Sequence, residues 1–161
     1  MSNKEWGNAT WALFHTLAQQ IKEDEFIKER ARLITFVKRT CAHLPCPVCA
    51  ADASNIMSRA YDHLIETKDD FIEFLRQFHN IVNTKLNKPA MSAEEVTAKY
   101  TRARLDLILQ NFFNILTISY GNMKMLVHSY QRQAFIREQK VYLDSLLTKC
   151  VSNTSNNSTG N

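Results

Sequence analysis

Apolar residues recur along this chain at intervals of three and four, the spacing that places side chains on one face of an α-helix. The alternating pattern of a half-buried strand is almost absent. The pattern therefore predicts an all-α protein. The first two stripes predict two consecutive helices and consist of Leu13, Phe14, Leu17 and Ile21, followed by Phe26, Leu33, Ile34 and Val37.

A third helix is predicted after the break at His43-Leu44-Pro45, beginning at Cys46 or Pro47. Pro47 suits the first helical position, because the N–H group that proline lacks would find no partner there. The helix would carry the apolar residues Val48 and Ile56. This placement puts Cys46 at the cap of the third helix.

The fourth helix has the clearest stripe of the chain. A capping-box signature at Thr67 to Asp70 precedes it, and the run Asn87-Lys88-Pro89 is predicted to end it. The stripe consists of Phe71, Phe74, Leu75, Phe78, Val82 and Leu86.

Beyond this point the pattern predicts two more helices. Ser92 and Glu95 form a second capping box, from which a fifth helix is predicted to run on towards Tyr120. Gly121 stands where that helix would need a left-handed C-cap, and a sixth helix is predicted from about 122 to 149.

The end of the chain has a different composition. The last residues are almost only Ser, Asn, Thr and Gly, which predicts a disordered tail. The expected organisation is a helical core at 1–100, a helical extension at 101–150 and the tail at 151–161.

Length and charge narrow the class of protein. The 161 residues suffice for one domain, and the formal net charge of +4 comes from basic residues interleaved with Asp and Glu, as on a solvated helix surface. We therefore expect no nucleic-acid partner.

No export signal follows the N-terminus, and the most apolar stretch, 112–120, falls short of the roughly 20 residues that cross a bilayer. We expect a soluble protein made in the cytosol, with no membrane partner.

The dithiol Cys46-Pro47-Val48-Cys49 is the main chemical signal of the sequence. Cysteines in a reducing compartment are more often catalytic or metal-binding than structural. A thiolate at a helix N-terminus is stabilised by the helix dipole, so the pair is interpreted as a redox centre. A thioredoxin-like fold would need a βαβ pattern around it, which is not found. The dithiol must therefore work in a helical frame.

Ring and amide side chains share helix faces on both sides of this dithiol. Trp11 and His15 are four residues apart, as are His79 and Asn83. On periodicity alone, the first pair is better interpreted as core and the second as solvent-facing. Two such faces flanking a dithiol favour a bound planar, phosphorylated cofactor.

Three segments, in this order, resemble the Erv/ALR family of flavin-dependent sulfhydryl oxidases. The run from Trp6 to Leu17 resembles the family's opening helix, with Gly, Trp and His at matching spacing. Cys46 and Cys49 correspond to its active-site pair, and the run from His79 to Pro89 is similar to its H-N-x-V-N-x-x-L-x-K-P segment. The resemblance covers roughly Trp6 to Tyr100 and implies a four- to five-helix bundle around FAD, followed here by a helical extension.

The resemblance also implies a set of cofactor-binding residues. Rings can stack on flat ring systems, asparagine can bond their polar edges, and a lysine can meet a pyrophosphate as a point charge. The implied residues are Gly7, Trp11, His15, His79, Asn80, Val82, Asn83, Leu86, Lys88 and Tyr100.

The family's chemistry implies a role for each thiol. Carried onto this chain, it makes Cys49 the flavin-proximal thiol and Cys46 the interchange thiol. Electrons taken from protein dithiols would pass through the CxxC and FAD to dioxygen, giving hydrogen peroxide. A homodimer is expected as well, although the extension could cover or replace that interface.

The sequence departs from the family pattern in two respects. Ala93 stands where many relatives have one cysteine of a structural disulfide, and no second CxxC is present to act as a shuttle. Cys150 could pair with Cys41, relay electrons as a single thiol or stay unpaired, and we favour the unpaired thiol. The layout resembles variants encoded by large cytoplasmic DNA viruses, which implies the host cytoplasm as location, with the virion as a second one.

Two other functions fit parts of the sequence. Cys41, Cys46 and Cys49 could hold zinc together with His43, but structural zinc sites usually draw on two separated cysteine pairs, so we expect no metal. Alternatively, the chain could be a helical interaction scaffold whose region after Tyr100 is a docking surface. A flavin absorption band would separate the oxidase from both alternatives.

Overall fold

The computed structural model describes residues 3–119 and 123–153, and helices dominate both ranges. Within them, strand pairing is limited to one isolated bridge, which confirms the predicted all-α class. In the same ranges, no helix is both long and apolar enough to span a membrane. The helices are α1 (Asn3–Gln20), α2 (Glu23–Ala42), α3 (Pro47–Ser58), α4 (Lys68–Lys85), α5 (Ala93–Tyr100), α6 (Leu105–Leu116) and α7 (Leu126–Leu146), with short 3-10 turns at Asp62–Leu64, Met123–Met125 and Leu147–Lys149.

The predicted apolar stripes form the core of the fold. Every residue of the first two stripes is buried, and α1 packs against α4, α5 and α6, while α2 packs against α3. In α4, Phe71, Leu75 and Phe78 are buried, whereas Leu86 at the end of its stripe is 57% exposed. The stripe therefore contacts the core as far as Val82, and Leu86, just after the last residue of α4, lies outside it.

The predicted start and end signals of α4 are confirmed. Thr67 Oγ1 accepts a hydrogen bond from the Asp70 backbone N–H at 3.1 Å, and the Asp70 carboxylate accepts one from the Thr67 N–H at 2.8 Å. Caps of this kind contribute about 1 kcal/mol. At the other end, Asn87 adopts a left-handed φ of 54°, a conformation that asparagine tolerates and that stops the helix. Ser92 and Glu95 form the equivalent capping box at the start of α5.

The extension shares the hydrophobic core of the rest of the chain. α7 runs antiparallel to α2: the ring of Phe135 stacks 4.5 Å from that of His43, and Tyr142 lies 3.8 Å beneath the guanidinium of Arg32. The later residue of α7, Tyr142, therefore meets the earlier residue of α2, Arg32, as antiparallel helices require. The buried residues that α6 and α7 contribute to the common core include Leu109, Phe112, Leu116, Phe135, Ile136 and Leu143.

The prediction that the fifth helix runs on towards Tyr120 is wrong. α5 ends at Tyr100, and a turn at 101–104 separates it from α6. The side-chain amide of Gln20 donates hydrogen bonds to the Tyr100 carbonyl at 3.0 Å and to the Ala103 carbonyl at 2.7 Å. The Tyr100 carbonyl is one of the groups without a helical partner at the end of α5, and the Ala103 carbonyl lies in the turn that follows, so a residue distant in sequence stabilises this turn.

The predicted sixth helix is confirmed as a helical run over 123–149, of which the central part is α-helical. α7 begins at Leu126 and ends at Leu146, with a 3-10 turn on either side. Gly121, predicted as a C-cap, lies outside the described residues, and α6 already ends at Leu116.

The first residues of the predicted disordered tail, 151–153, are ordered against the bundle. The Val151 N–H donates a hydrogen bond of 2.8 Å to the Gln20 carbonyl, and the Asn153 side-chain amide donates one of 3.0 Å to the Thr101 carbonyl. These residues are therefore docked onto the bundle. The rest of the predicted tail, after Asn153, lies outside the described residues.

Candidate redox and cofactor site

The CxxC pair forms a disulfide and lies at the start of α3, where the sequence places it. The Cα atoms of Cys46 and Cys49 are 5.2 Å apart. Cys46 is the N-cap, Pro47 occupies the first turn, and Cys46 Sγ accepts a hydrogen bond of 3.2 Å from the Cys49 N–H. A thiolate at Cys46 would therefore receive a backbone N–H as well as the positive end of the helix dipole.

The disulfide is accessible from solvent on one side. Cys46 and Cys49 are half-buried, and Val48 between them is 73% exposed. Although Val48 was assigned to the apolar pattern of α3, it lies outside the core. The exposed turn leaves room for a substrate thiol to approach the sulfurs.

The extension contacts the segment that leads into this turn. His128, in the first turn of α7, donates a hydrogen bond of 2.6 Å from Nε2 to the carbonyl of Leu44. Leu44 and Pro45 are both buried. The backbone immediately before Cys46 is thus held by a residue that the sequence did not associate with the site.

A stack of four rings lies where α1, α4 and α5 meet, and we call Trp11, His15, His79 and Tyr100 the ring stack. The rings of Trp11 and His79 are 4.0 Å apart and nearly parallel, at 7°. Those of His15 and Tyr100 are 4.8 Å apart at 20°. His15 Nε2 and His79 Nδ1 are 2.9 Å apart, so one ring donates a hydrogen bond to the other. Four residues implied by the family resemblance are therefore joined by a continuous set of ring contacts.

Both histidines of the stack favour the neutral state. Burial, followed by the nearby charges of His79 and Lys99, lowers the pKa of His15 to about 3. Burial, followed by Lys99 and Lys88, lowers the pKa of His79 to about 4. The imidazoles are thus uncharged at neutral pH, and two ammonium groups lie close enough to act on them. Lys99, whose Nζ is 5.4 Å from the Tyr100 ring, was missed by the sequence analysis.

Asn80 holds the loop that follows α4. Its Oδ1 accepts a hydrogen bond of 2.8 Å from the Met91 N–H, and its Nδ2 donates one of 3.0 Å to the Met91 carbonyl. The Lys88 N–H donates to the carbonyl of Asn83 at 2.8 Å in the same loop. The asparagines of this segment therefore shape the return of the chain to α5, a role that the sequence analysis did not assign.

The other implied cofactor residues differ in their surroundings. Gly7 is half-buried, and a Cβ added to it would meet no atom within 4 Å. Asn83 is buried and Val82 half-buried, whereas Leu86 and Lys88 are exposed near the end of α4. The structure does not bring Leu86 into the ring stack.

An ion pair relates the disulfide to the helix that carries part of the ring stack. Lys85 Nζ on α4 lies 3.8 Å from Asp52 Oδ2 on α3. Asp52 comes three residues after Cys49, so the two share one side of α3. Lys85 likewise comes three residues after Val82, so these two share one side of α4. Cys49 and Val82 both pack against the hydrophobic core. The face of α3 that carries Cys49 is thus turned towards the helix that carries His79.

The donor set of the site fits a flat, phosphorylated cofactor such as FAD. Four rings offer stacking surfaces, neutral imidazoles offer one donor and one acceptor nitrogen each, and the ammonium groups of Lys88 and Lys99 favour a pyrophosphate. The arrangement does not suit zinc in the way considered from the sequence, because Cys46 and Cys49 are bonded to each other. Among the described residues, no cluster of three or more His, Cys, Asp or Glu could hold a metal ion.

The two remaining cysteines are free and buried, which confirms the preferred interpretation of Cys150 as an unpaired thiol. Burial raises the pKa of the Cys41 thiol to about 12 and that of the Cys150 thiol to about 11. Cys150 bridges to Ile21, just before α2 begins, whereas Cys41 lies at the far end of α2. At 1.5 Å per residue, about 28 Å of helix separates them. A Cys41–Cys150 disulfide within one chain is therefore not compatible with this fold.

Comparison with known proteins agrees with the geometry of the site. Residues 8–101, more than half of the chain, match the model of the Erv1 / Alr family. A protein of Invertebrate iridescent virus 3 is 32% identical over 98 residues, which make up 60% of this chain and 66% of that protein. No solved structure matches the chain.

Two further relatives carry descriptive names. The rice protein named FAD-linked sulfhydryl oxidase ERV1 is 28% identical over 103 residues, or 62% of this chain and 51% of that protein. An African swine fever virus protein named FAD-linked sulfhydryl oxidase is 27% identical over 103 residues, or 64% of this chain and 86% of that protein. The chain thus spans about half to two thirds of the iridescent-virus and plant relatives.

Proposed function

Since this chain belongs to the Erv1/Alr family, we propose that it is an FAD-dependent sulfhydryl oxidase that forms disulfides in protein dithiols. The observation that supports this most directly is an accessible disulfide at the N-terminus of α3, beside the helix that carries His79 of the ring stack. The names of the plant and African swine fever virus relatives support the same activity and cofactor.

The disulfide exchanges with the substrate in two steps. A substrate thiolate attacks Sγ of Cys46, the S–S bond breaks, and Cys49 leaves as a thiolate in the first turn of α3. The second substrate thiolate then attacks the mixed disulfide and displaces Cys46, so that the substrate is oxidised by two electrons and the pair is reduced to two thiols. The Cys49 N–H, 3.2 Å from Cys46 Sγ, stabilises the departing Cys46 thiolate.

FAD, when bound, accepts the electron pair from the reduced thiols and supplies it to dioxygen, giving hydrogen peroxide. In the proposed site, the outer surfaces of the ring stack would hold the flat parts of the cofactor, and Lys88 with Lys99 would bind its pyrophosphate. Neutral His15 and His79 donate and accept hydrogen bonds without adding charge. The further residues proposed to line the site are Gly7, Asn80, Val82, Asn83 and Leu86.

The purified full-length protein tests this proposal. It should carry a flavin absorption band, consume oxygen with dithiothreitol and release hydrogen peroxide. A colourless protein that gains no flavin band after addition of FAD would contradict the proposal and favour a helical scaffold.

We also propose a homodimer, located in the host cytoplasm or the virion. The extension restricts how two copies can meet, because α6 packs along α1 and the side chains of α7 pack along α2. A dimer would therefore use a surface of the bundle other than the faces of α1 and α2 that α6 and α7 cover. Light scattering of the purified protein gives its mass, and a monomer at micromolar concentration would contradict the dimer.

A further inference from the structure

A short C-terminal segment, residues 147–153, contacts both the connection between α1 and α2 and the turn after α5. We call this segment the strap. The Lys22 N–H donates a hydrogen bond of 3.0 Å to the carbonyl of Lys149, and Cys150 forms an antiparallel bridge with Ile21. The Lys149 ammonium also forms an ion pair with Glu29 of α2. The strap is thus fixed to the turn between α1 and α2.

The same segment reaches the end of α5 through Gln20. The Gln20 carbonyl accepts the Val151 N–H at 2.8 Å, while its side-chain Nε2 donates to the carbonyls of Tyr100 and Ala103. Asn153 adds a hydrogen bond from its Nδ2 to the Thr101 carbonyl. Gln20 is only 2% exposed, so its amide cannot replace these partners with water.

The hydrogen bonds of Gln20 stabilise α5, a helix that depends on tertiary contacts. α5 has 8 residues, too few to be stable without tertiary contacts. Its last residue, Tyr100, contributes the ring that stacks on His15. The position of that ring therefore depends on how firmly the end of α5 is held.

We propose, building on the function above, that Gln20 is a positioning residue through which the strap holds Tyr100 against His15 and so tightens the binding of FAD. The part of the chain that matches the family model ends at residue 101. The cofactor site of this protein therefore depends on residues beyond the family segment.

The test compares Gln20→Met with Gln139→Met in the full-length holoprotein. Methionine preserves the approximate volume of glutamine and removes both donors, and Gln139 is a buried glutamine on α7 that serves as the matched control. FAD released on dilution is measured by its fluorescence. Gln20→Met should raise the dissociation constant of FAD about tenfold, with oxygen uptake recovering in excess FAD, whereas Gln139→Met should stay within about twofold of wild type.

Hydrogen exchange gives a second readout that does not depend on activity. The backbone amides at 100–103 should exchange faster in Gln20→Met and in Asn153→Ala, while those of α4 stay unchanged. Asn153→Ala also serves if Gln20→Met does not fold. An unchanged FAD dissociation constant in the strap variants, or an equal rise in Gln139→Met, would overturn the proposal. If the wild type binds no FAD, the proposed function fails, and unchanged exchange at 100–103 would separately contradict the role of the strap.

Discussion

His15 and His79, 64 residues apart in sequence, share a hydrogen bond of 2.9 Å between Nε2 and Nδ1. Such a bond between two imidazoles requires at least one neutral ring, because a doubly protonated pair has no lone pair to accept it. Burial lowers the pKa of each ring, and the pair joins α1 to α4 beneath Trp11 and Tyr100.

The first prediction follows from these pKa values. Unfolding returns both pKa values to 6.5 from about 3 for His15 and about 4 for His79, so the unfolded chain binds more protons between these limits. The free energy of unfolding therefore contains a contribution that is complete above pH 6.5 and is lost as the pH falls towards 4 and 3. We expect a loss of several kcal/mol between pH 6.5 and 3, measured by urea unfolding at a series of pH values.

Replacing both rings identifies the source of this pH dependence. In the double variant His15→Phe and His79→Phe, the loss of stability between pH 6.5 and 4 should shrink. His63→Asn, at an exposed position, should retain the wild-type slope. Equal slopes in all three proteins would assign the effect to other groups, such as carboxylates.

The second prediction concerns the thiols of the disulfide. Cys46→Ser and Cys49→Ser should each abolish oxygen uptake with dithiothreitol and leave the protein folded and yellow, because the substitution changes one atom at a half-buried position. Oxygen uptake measures the loss of activity, circular dichroism checks that the protein is folded, and the flavin absorption spectrum checks that it keeps FAD. Substantial turnover in either variant would remove that cysteine from the mechanism.

The same two variants separate the roles of the thiols. In Cys46→Ser, the remaining Cys49 thiolate should give a long-wavelength charge-transfer absorption with oxidised FAD, because Cys49 is proposed to lie next to the flavin. If this absorption appears only in Cys49→Ser, the two roles are reversed.

The third prediction tests the ring stack. His15→Ala and His79→Ala should weaken FAD retention before they reduce helical content, because each removes a ring that is proposed to contact the cofactor. FAD occupancy after gel filtration and circular dichroism give the two measurements. His63→Ala is the control. Unchanged FAD affinity in both stack variants would return these histidines to a purely structural role.

The fourth prediction concerns Cys150, which is buried about one length of α2 away from the active-site end of the bundle. Cys150→Ala should change oxygen uptake by less than about tenfold, equivalent to about 1.4 kcal/mol in the barrier, with dithiothreitol and with a reduced protein substrate alike. A selective loss with the protein substrate would show that Cys150 carries electrons.

Local signals in the sequence determined much of the helical framework. The stripes of α1, α2 and α4, the capping boxes at Thr67 and Ser92, and the position of Cys46 at the cap of α3 each depend on residues within a few positions of one another. A helix face or a cap is set by such neighbours, so one sequence sufficed to predict them. The family resemblance added the set of cofactor residues, of which four meet in the ring stack.

Only the tertiary structure decided how these elements end and meet. No proline or glycine marks the end of α5, which is stabilised by Gln20 from another helix, and the docking of Val151 and Asn153 depends on the same turn. The separation of Cys41 from Cys150 follows from the length of α2 and the antiparallel course of α7. Contacts of this kind join residues many positions apart, and their energies depend on packing that exists only once the helices have assembled.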